Sequence, residues 1–198
     1  MKKSLIVLVV LPILALSACS GSSASGSSSS GSSGESVQAG AGKTTDCAVQ
    51  GAPVPVASIP EGPTLDGVTV IADGAKAPLV TVADGAAPVT ELGTLEIAAG
   101  DGATAKAGDT LTVEYCGIGL ASQSIFDSSW VRGEPATFPL DGLIQGWQDG
   151  LPGMKVGETR LLVIPGALGY GPNPPSGSGI EPDETLVFVI TLKDVVAS

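Results

Sequence analysis

The 198-residue sequence contains no histidine. That absence removes Ser-His-Asp triads, Cys-His dyads and histidine-ligated metal sites in one step. Basic residues are scarce too: nine Lys and Arg stand against 20 Asp and Glu, for a formal net charge of −11. Such a balance argues against nucleic acid as a partner, because neutralising phosphates needs clustered Lys and Arg. It equally disfavours electrostatic adhesion to anionic lipid. Aromatics are few, with two Trp, two Tyr and three Phe, so the places where they gather carry information. The apolar run Leu5 to Leu16 stops at twelve residues, short of the roughly 20 that cross a bilayer core as helix. What the chain does have is Gly, Ala, Ser, Val and Pro. That is the composition of a β-rich fold with many turns, long enough for one globular domain plus appendages.

The amino end reads as a secretory signal, with basic Met1-Lys2-Lys3 ahead of the short apolar run. It closes on Leu16-Ser17-Ala18-Cys19, which resembles a bacterial lipobox. The resemblance implies cleavage before Cys19 and diacylglycerol on its thiol; a plain signal peptide cut near Ala18 is the alternative. Losing Lys2 and Lys3 leaves seven basic against 20 acidic residues, a formal −13, so membrane attachment would come from the lipid alone. Residues 20–36 are almost wholly Ser and Gly and have nothing apolar to bury, which predicts a flexible tether. Residues 37–63 hold several prolines and read as irregular. The expected organisation is a signal peptide over 1–18, a lipid-anchored tether over 19–63, a β extension over 64–91 and the main domain over 92–198.

In the extension, Val68-Thr69-Val70-Ile71 and Leu79-Val80-Thr81-Val82 are β-branched runs, each followed by an Asp-Gly turn. Six Asp-Gly pairs occur in all, none inside the spaced acidic loop that calcium requires. In the main domain, Leu111, Val113 and Tyr115 alternate with Thr112, Glu114 and Cys116 along one strand. Ala136, Phe138 and Leu140 alternate on another. Leu143, Ile144, Trp147 and Leu151 fall at spacings that share one face of a short helix, bounded by Asp141-Gly142 and Asp149-Gly150. Pro165 to Ile180 is a long loop with five glycines, four prolines and Tyr170; its glycines lack the lysine and helix of a phosphate loop. Loops of that length without secondary structure are often binding or active-site segments. The final strand, from Thr185 to Val195, carries Leu186, Phe188, Ile190 and Leu192 on one face.

Tyr115, Phe126, Phe138, Trp147, Tyr170 and Phe188 come from separate segments, yet all lie on the apolar side of their elements or beside the helix. Asp127 follows directly on Phe126. An aromatic cavity with a few polar groups is the usual description of a small-ligand or peptide site.

Six motifs then occur in order: Val113-Glu114-Tyr115-Cys116-Gly117, Phe126-Asp127-Ser128-Ser129, Leu143-Ile144-Gln145-Gly146-Trp147, Gly150 with Met154 and Val156-Gly157, Tyr170-Gly171, and Thr185-Leu186-Val187-Phe188. Together they resemble the FKBP-type peptidyl-prolyl cis-trans isomerases, over about residues 92–197. The resemblance implies an α+β fold, a half-open antiparallel β-sheet wrapped around one short α-helix. It makes Tyr115, Phe126, Asp127, Trp147, Tyr170 and Phe188 the catalytic set, with Phe138, Leu143, Ile144 and Ile180 as further substrate-binding residues. It implies no metal and no cofactor. The partners it implies are proline-containing segments of unfolded or extracytoplasmic proteins, and macrolide inhibitors. An aromatic usual in the family is replaced by Ala136, and Phe138 lies two residues on along the same face. A non-catalytic lipoprotein that binds proline peptides is the alternative function. With Cys19 acylated, Cys47 and Cys116 remain as an even pair in an oxidising compartment. A disulfide between them is expected, tying the irregular segment to the outer face of the barrel; two free thiols are the alternative.

Overall fold

The computed structural model describes residues 40–198. The signal, the lipobox with Cys19 and the Ser/Gly stretch lie outside the described residues. Five short strands come first: β1 (Gly42–Asp46), β2 (Val54–Val56), β3 (Thr64–Leu65), β4 (Val68–Ile71) and β5 (Leu79–Ala83). They form an antiparallel sheet in the order β2-β1-β5-β4-β3. The β-branched runs pair as expected, with Val70 opposite Val80 and Val68 opposite Val82.

The second sheet is built from β6 (Gly93–Ala98), β7 (Thr110–Gly119), β8 (Ile125–Ser128), β9 (Ala136–Pro139), β10 (Thr159–Ile164) and β11 (Leu186–Val196). Its order is β6-β10-β11-β7-β8, and β9 shares the outer edge of β7 with β8. Two short α-helices interrupt the strands, α1 (Ser129–Arg132) and α2 (Gln145–Gly150). This is the antiparallel FKBP-like architecture, with one helix more than the sequence suggested. Among the described residues no helix is long and apolar enough to cross a membrane.

The central strands are buried on both faces. Tyr115, Trp147, Leu162, Ile164, Phe188 and Ile190 belong to the core under α2, on the concave side. Cys116, Ile118, Leu161, Val163, Val187 and Val189 belong to a second core on the convex side, shared with Val68, Val70, Val80 and Val82 of the first sheet. The segments Leu161–Ile164 and Leu186–Leu192 accordingly carry near-continuous apolar residues, the mark of a strand covered twice.

Two boundaries differ from the sequence reading. Residues 42–46 and 54–56, assigned there to an irregular tether, are strands that pair with each other and, through β1, with β5. Lys43, Thr44, Thr45 and Asp46 show no apolar alternation, so nothing local announces a strand; the pairing partner supplies it. The first sheet is therefore a complete layer, larger than the extension expected over 64–91. Cys116, expected on the outer face of the barrel, is on that face but sealed beneath the first sheet with no exposure.

Cys47 and Cys116 are joined by a disulfide, with Cα atoms 5.8 Å apart. The Cys47 carbonyl also accepts a hydrogen bond from Ser128 Oγ at 2.8 Å. The bridge closes a loop of 69 residues, which by chain entropy corresponds to about 4 kcal/mol. The C47S/C116S variant should therefore unfold at markedly lower denaturant, by about 2–5 kcal/mol at constant slope, in equilibrium unfolding followed by tryptophan fluorescence. An unchanged midpoint would show that the sheet packing alone holds the two layers.

Candidate functional site

Helix α2 is set against β10 by two glycines. A Cβ on Gly146 would come within 2.4 Å of the Ile164 side chain, and one on Gly150 within 2.9 Å of Leu162. The helix therefore lies close to the sheet and turns Trp147 into its concavity. Gln148 Nε2 donates to the Leu143 carbonyl at 2.7 Å, fixing the approach to the helix that carries Leu143 and Ile144. At the other end Arg160 Nη1 donates to the Gly150 carbonyl at 2.7 Å and pairs with buried Glu158. A cation at a helix C-terminus is favourably placed.

Trp147 is the centre of an edge-to-face aromatic cluster. Its ring meets Phe188 at 5.2 Å and 88°, Tyr115 at 5.6 Å and 85°, and Phe138 at 6.3 Å and 86°. Phe126 meets Phe188 at 5.4 Å and 83°. These are the preferred geometries for aromatic pairs, each contributing about 0.5–1.5 kcal/mol beyond burial. Gly117 makes room for them, since a Cβ there would stand 2.6 Å from the Phe126 ring and 2.8 Å from Phe188. The Trp147 Nε1–H is buried without a hydrogen-bond partner among the described residues.

The cluster encloses a cavity of about 180 Å³ lined by Tyr115, Phe126, Asp127, Phe138, Leu143, Ile144, Trp147, Tyr170 and Phe188. Nine of the ten residues named from sequence thus meet around one space. Ile180 is not in the lining; it packs, half-buried, against the edge of the same core. Ala136 is also absent from the lining, and Phe138, opposite Leu111 on β7, stands at the wall.

One side of the cavity is polar. Tyr115 Oη donates to Asp127 Oδ2, and Arg132 Nη1 forms an ion pair with Asp127 Oδ1. Arg132 Nη2 donates to Tyr115 Oη at 3.0 Å, and the guanidinium carbon lies 5.3 Å from the Tyr115 ring centre. Sequence reasoning missed Arg132. It is held by α1, a four-residue helix capped by Ser128 Oγ and ended by left-handed Gly133. The Ser128-to-Gly133 spacing was the available signal, but one turn is too short to show periodicity.

Burial, reinforced by the bond to Asp127, pushes the Tyr115 hydroxyl up to about 12 against the opposing pull of Arg132. Tyr170 is raised by burial and then by the Asp127 charge. Bonding to Tyr115 is the main influence raising Arg132. Both tyrosines therefore stay neutral at physiological pH. Tyr115 already spends its proton on Asp127, and a carboxylate has none to give. Tyr170 Oη donates to no side chain among the described residues, which leaves it the free hydroxyl donor of the cavity.

Comparisons with known proteins place the chain in a family. Residues 102–193 match the family model described as FKBP-type peptidyl-prolyl cis-trans isomerase. The chain is 49% identical over 98 residues to a probable FK506-binding protein of Corynebacterium glutamicum, covering 49% of this chain and 80% of that protein. It is 44% identical over 110 residues to an FK506-binding protein of Streptomyces anulatus, covering 54% and 89% respectively. Among solved structures, FkpA from Escherichia coli matches with a TM-score of 0.50 and 43% identity, over 55% of this chain and 49% of that one. Residues 40–91, the first sheet, fall outside the matched segment.

Alkaline titration checks the electrostatics. A raised folded-state value means that the neutral Tyr115 contributes stability in full below pH ~10, and that this is lost as pH rises through about 12. Phenolate absorbance should show no tyrosine titrating at its ordinary value, and the denaturant midpoint should fall between those limits. In Tyr115→Phe the highest phenolate step should vanish; an ordinary step near pH 10 in the folded wild type would contradict the network.

Proposed function

The chain belongs to the FKBP-type peptidyl-prolyl cis-trans isomerases, and on that premise we propose that it works outside the cytoplasm, lipid-anchored through Cys19, on proline-containing segments of unfolded secreted or envelope proteins. Its activity is peptidyl-prolyl cis-trans isomerisation. Members of the family bind proline peptides and FK506, and the proposal extends to a macrolide occupying the same cavity here. The observation that carries the reading is the Trp147-floored aromatic cavity, which lies wholly within the segment matched to the family. The extracytoplasmic address is supported by the lipobox-like Leu16-Ser17-Ala18-Cys19 and by a disulfide, a bond that persists in oxidising compartments.

The chemistry asks little of the protein in proton transfer. Rotation about the prolyl amide faces a barrier of about 18–20 kcal/mol because resonance holds it planar. At the twisted state the nitrogen lone pair is localised and the amide is less polar. A dry aromatic cavity favours that state over the hydrated planar one. In the proposed roles, Trp147 and Phe188 seat the pyrrolidine ring, while Phe126, Phe138, Leu143 and Ile144 exclude water around it. Tyr170 donates to a backbone carbonyl of the substrate, and Asp127 orients Tyr115 and Arg132 along the wall. Asp127 and Tyr115 are positioning groups in this scheme, since their hydrogen bonds to each other and to Arg132 are already made.

Two measurements test the proposal. Exchange NMR on a short Xaa-Pro peptide should show Tyr170→Phe lowering kcat/KM by about tenfold, the value of one hydrogen bond. Arg132→Ala should lower it by about ten- to a hundredfold through release of Asp127 and Tyr115. Wild-type rates in either variant would remove that residue from the site. For the address, mass spectrometry of the cell-associated protein should find a diacylated Cys19 at the amino terminus, and Cys19→Ser should release the chain from the membrane fraction. An unmodified terminus near Ala18 would refute anchoring.

A further inference from the structure

A second cavity, of about 220 Å³, lies apart from the aromatic one, at the base of the loop that carries Tyr170. Its apolar walls come from Ala86 and Pro88, between β5 and β6, from Leu120 after β7, and from Pro182. Three acidic residues line it as well, Glu181, Asp183 and Glu184. Ala86 and Pro88 lie outside the segment matched to the family, so part of this wall is supplied by the connection that leaves the first sheet.

The cleft is held open by hydrogen bonds among the segments around it. Val89 N–H donates to Thr185 Oγ1 at 3.2 Å, and Leu120 N–H donates to the Thr185 carbonyl at 2.9 Å. Glu184, buried, accepts from the amides of Ala121, Ser122 and Glu181. Its charge is spent on structure. Glu181 and Asp183 differ: both are exposed, and neither side chain makes a hydrogen bond or ion pair among the described residues. The two salt bridges of the described residues lie elsewhere, at Asp127 and Glu158, and no Lys or Arg lines the cleft.

Apolar walls beside two unneutralised carboxylates suit one kind of occupant, a side chain with an aliphatic stem and a cationic head. A metal ion would need more oxygen ligands converging on one point, and a purely apolar group would leave the carboxylates unused. The position relative to the aromatic cavity is also informative. Thr185 borders the cleft and Phe188 borders the cavity, three residues apart near the start of one strand, so the two spaces open on opposite faces of the sheet and are joined around its end. Asp183 N–H donates to the carbonyl of Gly171, the neighbour of Tyr170, at 2.8 Å, so one loop shapes both spaces.

We propose that this cleft is an accessory subsite that takes a Lys or Arg side chain of the client, at a set spacing from the isomerised proline. It rests on the reading that unfolded segments are the substrates, and it adds a charge preference to them. The subsite makes the enzyme favour cationic segments without any change at the reacting bond.

The test uses the mature chain and a series of alanine-based peptides, each with one Xaa-Pro bond and a single lysine moved along the sequence, with norleucine at the same place as control. Exchange NMR gives kcat and KM separately. At one or two spacings, lysine should lower KM by about three- to tenfold at low salt with kcat unchanged. The advantage should vanish at high salt, in E181Q/D183N, and in A121F, which fills the cleft. Lysine peptides indistinguishable from norleucine at every spacing, or an advantage that survives E181Q/D183N, would overturn the subsite. Failure to accelerate the plain alanine peptide would instead strike at the client reading. In that case, amide shifts of Leu120 and Ala121 on adding the lysine peptide still decide the subsite, for it if they move and against it if they do not.

Discussion

One constraint governs the molecule: strands β7, β10 and β11 present apolar side chains on both faces, and both faces must be covered. The concave side is closed by α2, and the incomplete fit of aromatics around Trp147 leaves the cavity. The convex side is closed by the first sheet, whose Val68, Val70, Val80 and Val82 meet Leu161, Val163, Val187 and Val189. Because the back of the sheet is filled and pinned by Cys47–Cys116, the strands carrying Tyr115 and Phe188 have a fixed support. A preorganised cavity needs that support, since aromatic walls free to collapse inward would fill the space meant for the substrate.

The polar edge follows the same logic. Asp127 sits at the solvent-facing rim of an apolar space, where Tyr115 and Arg132 hold its carboxyl in place. The result is a wall that is polar and yet uncommitted to proton transfer, with one free hydroxyl, Tyr170, on the loop opposite. The loop between β10 and β11 that carries this hydroxyl also borders the acidic cleft.

Much of the site was legible in the chain, because several of its aromatics sit on strands with alternation or on the helix with its own spacing, while Tyr170, on a loop, was placed by the family resemblance. Tyr115 follows Leu111 and Val113, and Trp147 follows Leu143 and Ile144. The disulfide partners were legible from counting. What escaped was whatever is made by contact alone. Strand β1 is a run of Gly, Lys, Thr and Asp that becomes a strand only beside β5. Arg132 acquires its role from a single helical turn. The double burial of β10 and β11 was written in their continuous apolar runs, but reading one face of each strand hid the layer behind it. Ala136, which looked like a gap in the wall, is not part of the wall at all, since Phe138 stands there.

The central claim is that isomerisation here needs desolvation and orientation but no proton in flight. Its most direct measurement is the pH dependence of kcat/KM for a neutral Xaa-Pro peptide, together with the solvent deuterium isotope effect. The account predicts a flat profile from about pH 6 to about pH 9 and an isotope effect of about 1, since the chain has no histidine and Tyr115 stays protonated well beyond that range. A bell-shaped profile, or an isotope effect of about 2 or more, would mean that a side chain transfers a proton in the transition state, and would contradict it.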